Sequence, residues 1–318
     1  MIKNDLRIPK KRKIKHRPWR ERKECFGEMI QFDGSHHDWF EGRGEKCVLL
    51  CSRDDATNQT EAMFAPAEDT LDVFRFWQSY FLKHGRPRSI YLDRHSIYKT
   101  TRPIQGEGED FDLTQFERAM AKLDVEVIHA YSPQAKGRVE NVFGTLQDRL
   151  IKELRLENIS GIRQSNCYLK EKFLPEFNRR FSLPARKPNN LHRPLPKEID
   201  LECILSVQKT RHINNDFTLR FENCWFQLNE IQPTLVLPGQ KVIVEQRIDQ
   251  TIHLFLGSEY LNYTVSNKRP INRRRAYALT SQPQPRVWFK PKSNHPWRKF
   301  VIDRPKQDIS KLVKSGHF

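Results

Sequence analysis

The order of secondary-structure elements predicted between residues 28 and 154 constrains this 318-residue chain more than any other feature. Alternating or apolar runs predict strands at 28–35, 46–52, 59–65, 88–95 and 126–130. Helical spacing of apolar residues predicts a helix at 114–123 and another at 71–83, whose inward-facing core residues are Leu71, Phe74, Trp77, Phe81 and Leu82. The first three strands follow one another directly and predict a meander, whereas the later strands alternate with helices. This order predicts an α/β fold that contains a mixed sheet with flanking helices.

A long amphipathic helix closes this series, because apolar residues recur at three- and four-residue steps after Pro133 and Gly137 interrupt the regular structure. The apolar positions are Val139, Val142, Phe143, Leu146, Leu150 and Leu154. At about 100° of turn per residue, Glu140 lies roughly 100° from the centre of this stripe, on the side of Lys136 and Gln147. The helix therefore places Glu140 at the rim of a core, where its carboxylate is either a metal ligand or general base, or a solvated surface group.

Two more acids follow predicted strands, since Asp33 ends the first strand and Asp93 ends the strand after the first long helix. If the first and fourth strands are neighbours in the sheet, both acids lie at one edge, and the long helix can bring Glu140 over them. Three carboxylates in one place repel one another, and divalent cations stabilise them together. Two such ions about 3.5–4 Å apart can activate an attacking oxygen and stabilise a leaving oxygen in phosphoryl transfer.

Other polar residues of this region have alternative interpretations. The adjacent acids Asp54 and Asp55 lie in a predicted hairpin turn, where such side chains more often accept backbone hydrogen bonds than act as acid and base. His36 and His37 fit a role in the site or in positioning DNA as well as they fit a plain surface position. The six cysteines contain no Cys-x-x-Cys pair, so the sequence indicates neither a disulfide framework nor a zinc site.

The charge of the chain predicts a polyanionic partner. The sequence holds 56 Lys and Arg against 39 Asp and Glu, a formal net charge of +17, and this surplus favours nucleic acid. An anionic membrane surface is the competing partner. No apolar run approaches the ~18 residues of a spanning helix, and no signal-peptide-like segment follows Met1. The sequence therefore predicts an intracellular protein that binds DNA and has no membrane segment.

Basic runs lie at both ends of the chain. Residues 1–24 form an arm whose like charges keep it extended until phosphates neutralise them, and it contains Lys10, Lys11, Arg12 and Lys13. Residues 268–318 form a basic, proline-containing tail with Arg273, Arg274 and Arg275. We interpret the first run as a DNA-tracking arm or linker, with a merely solubilising segment as the alternative.

Composition divides the residues between these ends into three regions. Residues 25–183 contain the α/β elements described above. The prolines and asparagines of residues 184–210 predict a linker. Residues 211–267 carry short alternating strands separated by turns, which predict a small all-β barrel.

Four segments together resemble a known superfamily of enzymes: Phe32–Phe40, Asp93–Arg94, Ser132–Glu140 and His295–Arg298. With the element order given above, they resemble the ribonuclease-H-like core of DDE transposases and retroviral integrases. Within that superfamily, the motifs look like those of bacterial insertion-sequence transposases of the ISNCY type. The resemblance extends over most of the chain, from about residue 17 to residue 300.

This resemblance has implications for individual residues. It implies an integrase-like catalytic core in residues 25–183 and an SH3-like fold for a DNA-binding barrel in residues 211–267. It implies that Asp33, Asp93 and Glu140 are catalytic and bind Mg²⁺ or Mn²⁺, as two ions. By the same resemblance, Lys136 and Arg138 would contact DNA, together with the basic residues of the arm and the tail.

The resemblance also implies an activity. The chain would be a DNA transposase that cuts element ends in a Mg²⁺-dependent reaction and joins the freed 3′-hydroxyl to target DNA. It would act as a homo-oligomer on DNA, in the bacterial cytoplasm and in association with the nucleoid. One alternative is a hydrolytic nuclease of the same fold, which would cleave DNA without joining ends. Another is a truncated DNA-binding regulator that inhibits a full-length transposase, although the presence of all three acids argues against decay of the site.

We predict that the affinity for non-specific duplex DNA falls steeply with salt, because each lysine or arginine that neutralises a phosphate releases a counterion. The logarithm of the binding constant should fall with a slope of about −0.9 per phosphate neutralised. Deletion of residues 1–23 should flatten this plot. Binding of the full and the deleted chain at several salt concentrations measures the effect, and an unchanged slope would identify the arm as a solubilising segment.

We also predict weak discrimination between element ends and random DNA. Base-specific reading commonly uses a recognition helix in the major groove, and residues 1–25 contain no amphipathic helical pair. The preference should lie well under the roughly 10³-fold of typical specific readers, and an appended upstream helix-turn-helix region should raise it. In competition binding, a large preference by the chain alone would show instead that the barrel or the tail reads sequence.

Overall fold

The computed structural model describes residues 21–93, 97–98, 113–129, 137–269 and 293–295, and at 137–140 it describes the helical backbone. The chain divides into two compact units, residues 1–268 and 269–318. All the elements described below belong to the first unit.

The predicted succession of strands and helices is confirmed in the first part of this unit. Three strands form an antiparallel meander, β1 (Met29–His37), β2 (Cys47–Asp54) and β3 (Thr60–Ala65). They are followed by α1 (Thr70–His84), β4 (Ser89–Leu92), α2 (Gln115–Lys122), β5 (Glu126–His129) and α3 (Gly137–Leu156). The sheet has the order β3-β2-β1-β4-β5, and β4 and β5 run parallel to β1. The chain therefore has the mixed α/β fold with flanking helices that is expected of a ribonuclease-H-like core.

Helices cover both faces of this sheet. We call the face that carries Ile30, Phe32 and Leu50 the α1 face, because these residues are buried in one core with α1 and α2. The opposite face carries Leu49 and Cys51, which are buried with residues of α3, and we call it the α3 face. Because both faces are buried, β2 is apolar on both sides from Cys47 to Cys51.

The aromatic residues of α1 are core residues, as predicted, since Phe74, Trp77 and Phe81 are each at most 1% exposed. The prediction that Leu82 points inward is wrong, because its side chain is 70% exposed. Leu82 lies one residue, or about 100°, beyond Phe81 and therefore off the inward stripe.

The end of β1 also differs from the prediction. The prediction that Asp33 ends the first strand is wrong, because β1 continues through Gly34 and stays paired with β2 as far as His37, which lies opposite Cys47. The glycine permits a close approach, since a Cβ atom at Gly34 would lie 2.4 Å from Oε2 of Glu68.

Helices that the sequence analysis did not predict complete the α3 face. After α3 come α4 (Ile162–Tyr168), a π-helical segment (Leu169–Phe173) and α5 (Leu174–Phe181). Leu169, Phe173 and Phe177 of this run are buried in the same core as α3. This helical run packs beside β3, the edge strand of the sheet.

Two asparagine side chains of this run hydrogen-bond to the edge of β3. Asn178 accepts from the backbone N–H of Thr60 at 2.8 Å and donates to its carbonyl at 2.8 Å. Asn166 makes the same pair of bonds with the backbone of Phe64, at 2.7 and 2.9 Å. Each amide therefore takes the place of one residue of a further strand, and together they satisfy backbone groups that an edge strand would otherwise leave unpaired.

The last part of the unit is all-β, as predicted, but it forms two small antiparallel sheets. After the short helix α6 (Leu201–Ile204), the strands are β6 (Val207–His212), β7 (Thr218–Phe221), β8 (Cys224–Leu228), β9 (Lys241–Gln246), β10 (Ile252–Leu256), β11 (Glu259–Tyr260) and β12 (Tyr263–Ser266). One sheet has the order β11-β10-β9-β6 and the other β12-β8-β7. Leu219, Phe226, Val244 and Leu254 belong to one core that the sheets share. Within residues 207–266 no ladder joins the two sheets into a closed barrel, so the SH3-like barrel stays a prediction.

The segment between the two parts, which was predicted to be a linker, runs along the α/β part. Arg193 and Arg86 exchange two backbone hydrogen bonds of 2.8 Å, and the N–H of Leu191 donates to the carbonyl of Phe26. At the start of β6, Gln115 of α2 donates to the carbonyl of Gln208 and accepts from its N–H, at 2.9 and 2.8 Å. These bonds fix the β part against the α/β part.

We predict that Asn178→Ala destabilises the fold by about 1–3 kcal/mol, because it leaves the fully buried N–H and C=O of Thr60 without partners. Urea unfolding of the full chain measures the loss. Asn189→Ala is the matched control, because Asn189 is exposed and its loss should change stability by less than ~0.5 kcal/mol. Equal stability of the two variants would show that water satisfies the edge in place of the amide.

Candidate active site

The pairing of β1 with β4 places Asp33 and Asp93 side by side. The parallel register aligns Met29 with Ser89 and Gln31 with Tyr91. Continued for two more residues, the same register brings Asp33 level with Asp93. Because neighbouring strands lie about 4.8 Å apart, the end of β4 lies close to the middle of β1, which continues to His37.

Both acids also lie on the same face of the sheet. Asp33 is paired with Cys51, which is buried on the α3 face, and side chains of paired residues share a face. Asp93 is the first residue after β4, and it alternates with Tyr91, which contacts Met29 on that face. Asp33 and Asp93 are both half-buried. The fold therefore brings these two predicted site residues together under α3.

The hydroxyl of Tyr98 is affected by the charge of both aspartates. Burial raises the pKa of Tyr98 well above its usual value, and the carboxylates of Glu68, Asp93 and Asp33 raise it further. All three carboxylates therefore lie close enough to Tyr98 to act on its hydroxyl. The phenol stays protonated, and it donates a hydrogen bond of 2.8 Å to Oε1 of Glu68.

Helix α3 carries the third predicted acid, Glu140, in its first turn. Val142 and Leu146 are fully buried and fix the helix on the sheet. Gln147 donates to the hydroxyl of Ser35, two residues beyond Asp33, at 3.3 Å. Position 140 lies seven residues before Gln147, about two turns, and hence on the same side of the helix. The side chain of Glu140 lies outside the described residues.

The described donors fit a hard divalent cation. Carboxylate oxygens are the ligands that Mg²⁺ prefers, and Asp33 and Asp93 supply them from one face of the sheet. Within the described residues, no three His, Cys, Asp or Glu side chains are grouped as a metal site. The third predicted ligand, Glu140, is among the side chains that the structure does not describe, so the fit depends on the two aspartates.

Glu68 is a neighbour of this region that the sequence analysis missed. It lies between β3 and α1, and its side chain is 9% exposed. It receives the Tyr98 hydrogen bond, and its Oε2 lies 3.4 Å from Nε2 of His36. In the sequence, Glu68 precedes Asp69, the N-cap of α1, so the pair looks like acids that start a helix. Only the three-dimensional position distinguishes Glu68 from such a residue.

The hairpin acids have the structural role that was predicted. Asp54 accepts from the backbone N–H of Gly27 and of Thr57, at 3.0 and 2.7 Å. Asp55 accepts from the N–H of Lys23 at 2.8 Å and from the side chain of Gln31 at 2.7 Å. These bonds hold Lys23, Gly27 and Gln31 against the hairpin. Asp54 and Asp55 thus fix the start of β1 and are separate from Asp33 and Asp93.

The residues that were predicted to contact DNA are basic residues of the arm, of the start of α3 and of the tail. Outside the described residues lie Lys10, Lys11, Arg12, Lys13, Lys136, Arg273, Arg274 and Arg275, and the side chain of Arg138. No helix in the part of the chain that the structure describes combines the length and apolar character needed to cross a membrane.

In sequence, the chain is similar to bacterial transposases. The putative transposase y4bF of Sinorhizobium fredii is 37% identical over 261 residues, which are 81% of this chain and 56% of that protein. The transposase for insertion sequence IS1202 of Streptococcus pneumoniae is 26% identical over 302 residues, 93% of this chain and 64% of that protein. The predicted resemblance to insertion-sequence transposases is therefore confirmed. The chain spans less than two thirds of the length of both relatives, and no protein-family model matches it.

Among solved structures, a chain of the simian T-cell lymphotropic virus intasome, in complex with the PP2A regulatory subunit B56 gamma, is similar to this protein. It is 14% identical, with a TM-score of 0.39, and the match covers 78% of this chain and 82% of that chain.

Proposed function

We propose that the chain is a DNA transposase that cuts DNA at the ends of an element and joins the freed 3′-hydroxyl to target DNA. Asp33, Asp93 and Glu140 would form its catalytic centre. The chain spans 56% and 64% of the length of its two transposase relatives. That it has the activity of those whole proteins is therefore part of the proposal.

One observation supports this function above all others. The parallel register of β1 with β4, continued by two residues, brings Asp33 of β1 beside Asp93, the residue after β4, on the face that α3 covers, and Glu140 is in the first turn of that helix. These are the acids that the resemblance to transposases assigns to catalysis. A net charge of +17 fits a DNA substrate, because lysines and arginines neutralise phosphates.

Two phosphoryl transfers would follow one another at this centre. In the first, the oxygen of a water bonds to phosphorus and the bond to the 3′ oxygen breaks, which leaves a 3′-hydroxyl on the element end. In the second, that 3′ oxygen bonds to a phosphorus of the target and displaces the 3′ oxygen of the target strand. Each step breaks one P–O bond and makes one, so neither step needs an external energy source.

The carboxylates would hold Mg²⁺ or Mn²⁺, as two ions. When bound, such ions activate an attacking oxygen and stabilise the charge on a leaving oxygen. The contribution of the chain is to place the carboxylates: β1 and β4 orient Asp33 and Asp93, and the packing of α3 through Val142 and Leu146 orients the helix that carries Glu140.

The remaining parts of the proposal concern DNA and assembly. The basic arm and tail, with Lys136 and Arg138, would contact the phosphates of element ends and target. The chain would act as a homo-oligomer on DNA, since a paired reaction needs a centre at each end of the element. Its place would be the bacterial cytoplasm, at the nucleoid.

We predict that Asp33→Asn, Asp93→Asn and Glu140→Gln each abolish cleavage and joining, while DNA binding stays equal or becomes tighter. Each change removes an oxygen ligand and also a negative charge near phosphate. Cleavage and strand transfer on the DNA that flanks the gene, in Mg²⁺, together with binding of the same DNA, measure both effects.

Asp148→Asn is the matched control for this series. Asp148 lies on the same helix as Glu140, but it is exposed and paired with Lys152. This variant should keep full activity. If any of the three site variants kept more than a few per cent of activity, its assignment would be wrong. Cleavage without joining by the unchanged chain would indicate the nuclease, and DNA binding without cleavage would indicate the regulator.

A further inference from the structure

We propose that Glu68 is a positioning residue for Asp33 and Asp93. Its carboxylate contacts β1 at Gly34, next to Asp33, and bonds to Tyr98, five residues after Asp93, from the α1 face of the sheet. The inference builds on the proposed function, because it assigns to Glu68 a role in the same site.

The first contact is with the backbone beside Asp33. A Cβ atom at Gly34 would lie 2.4 Å from Oε2 and 2.7 Å from Cδ of Glu68, so the carboxylate occupies the space that any other residue would fill. Gly34 is not among the glycines with positive φ, so the glycine is needed here for the close approach and not for its backbone angle. Glu68 therefore packs directly behind the peptide that follows Asp33.

The second contact is with the segment that follows Asp93. Tyr98, five residues later, donates its hydroxyl to Oε1 of Glu68 at 2.8 Å, and its ring is 1% exposed. The ring packs edge-on against Phe32, at 6.1 Å between centroids, and against Phe116 of α2, at 5.2 Å. Because the ring is fixed, its hydrogen bond holds the carboxylate of Glu68 in place.

The faces of β1 distinguish this role from that of a metal ligand. Side chains alternate along the strand, so Phe32, Gly34 and His36 share the α1 face, whereas Asp33 lies on the α3 face. Glu68 contacts the Gly34 position and His36. Its carboxylate thus lies across the strand from that of Asp33. Glu68 can therefore orient the backbone beside Asp33 and Asp93. Its carboxylate does not lie where theirs would hold a metal ion.

The physical consequence concerns pre-organisation. The ladder between β1 and β4 ends at the pair of Gln31 with Tyr91, two residues before Asp33 and Asp93, so the mutual repulsion of the two carboxylates would move the two backbones apart at this point. A buried carboxylate that is packed against Gly34 and bonded to Tyr98 limits that movement. Groups that orient metal ligands in this way typically change metal affinity or activity about 10–100-fold when they are lost.

The test measures Mn²⁺ binding by the full chain, from the decrease of the free Mn²⁺ signal in electron paramagnetic resonance. Tyr98→Phe keeps the ring and removes the hydroxyl, and Gly34→Ala displaces Glu68 while leaving Tyr98 intact. Both should weaken Mn²⁺ binding about 10-fold, as should Glu68→Ala. Glu68→Gln keeps an oxygen that accepts from Tyr98 and should retain most of the affinity.

Tyr80→Phe is the matched control, because Tyr80 is also buried and its hydroxyl bonds to His192 at 2.9 Å, away from the acids. It should bind Mn²⁺ like the unchanged chain, although its urea unfolding midpoint falls as that of Tyr98→Phe does. Equal affinity in Tyr98→Phe and the unchanged chain would overturn the inference, and so would an equal loss in Tyr80→Phe. A loss in Glu68→Gln as large as in Glu68→Ala would make Glu68 a ligand instead.

Asp33→Asn separates this inference from the proposed function. If Asp33→Asn binds as much Mn²⁺ as the unchanged chain, or if neither binds any, the proposed metal centre is wrong. The proposed role of Glu68 is then wrong too. If Asp33-dependent binding is present and the Tyr98→Phe variant retains it in full, only the role of Glu68 is wrong.

Discussion

The parallel pairing of β1 with β4 is the interaction on which the candidate site depends. A meander alone would place the end of β1 beside the start of β2, far from any other strand end that carries an acid. Because β4 adds to the other side of β1 in the same direction, the end of β4 lies beside the middle of β1, and Asp93 comes next to Asp33. α1 makes this possible, since a parallel connection has to cross the sheet before the next strand begins. The core that α1 forms with the sheet thus serves the site as well as stability.

The sequence predicted much of this arrangement, because periodicity reports which side of an element is buried. It indicated the order of strands and helices, the aromatic core of α1, the acid after β4 and the hydrogen-bonding role of Asp54 and Asp55. The prediction that Asp33 ends its strand was wrong, because β1 continues to His37. Contacts between distant segments leave no such periodic signal. Glu68 looks like an acid at a helix start, and Gly34 looks like the end of a strand. Their roles become clear only from the contact between them, which the sequence does not show.

The region between the two folded parts shows a related limit. Prolines and asparagines in residues 184–210 indicate an irregular backbone, and the structure has one as far as α6. Irregular backbone is a different property from freedom of movement. The bonds of Arg86 with Arg193 and of Gln115 with Gln208 attach this segment at several points. The orientation of the β part is consequently set by the helices and loops of the α/β part.

The asparagines that bond to β3 have a consequence for synthesis of the chain. Asn166 and Asn178 follow the residues that they protect by about a hundred positions. During translation, the meander therefore leaves the ribosome long before its protecting helices do. In that interval the outer edge of β3 is open to pairing with any other strand, including one from a neighbouring nascent chain. The helical run from α4 to α5 stabilises this edge in the folded protein. During synthesis it can protect the edge from other strands only after it has left the ribosome.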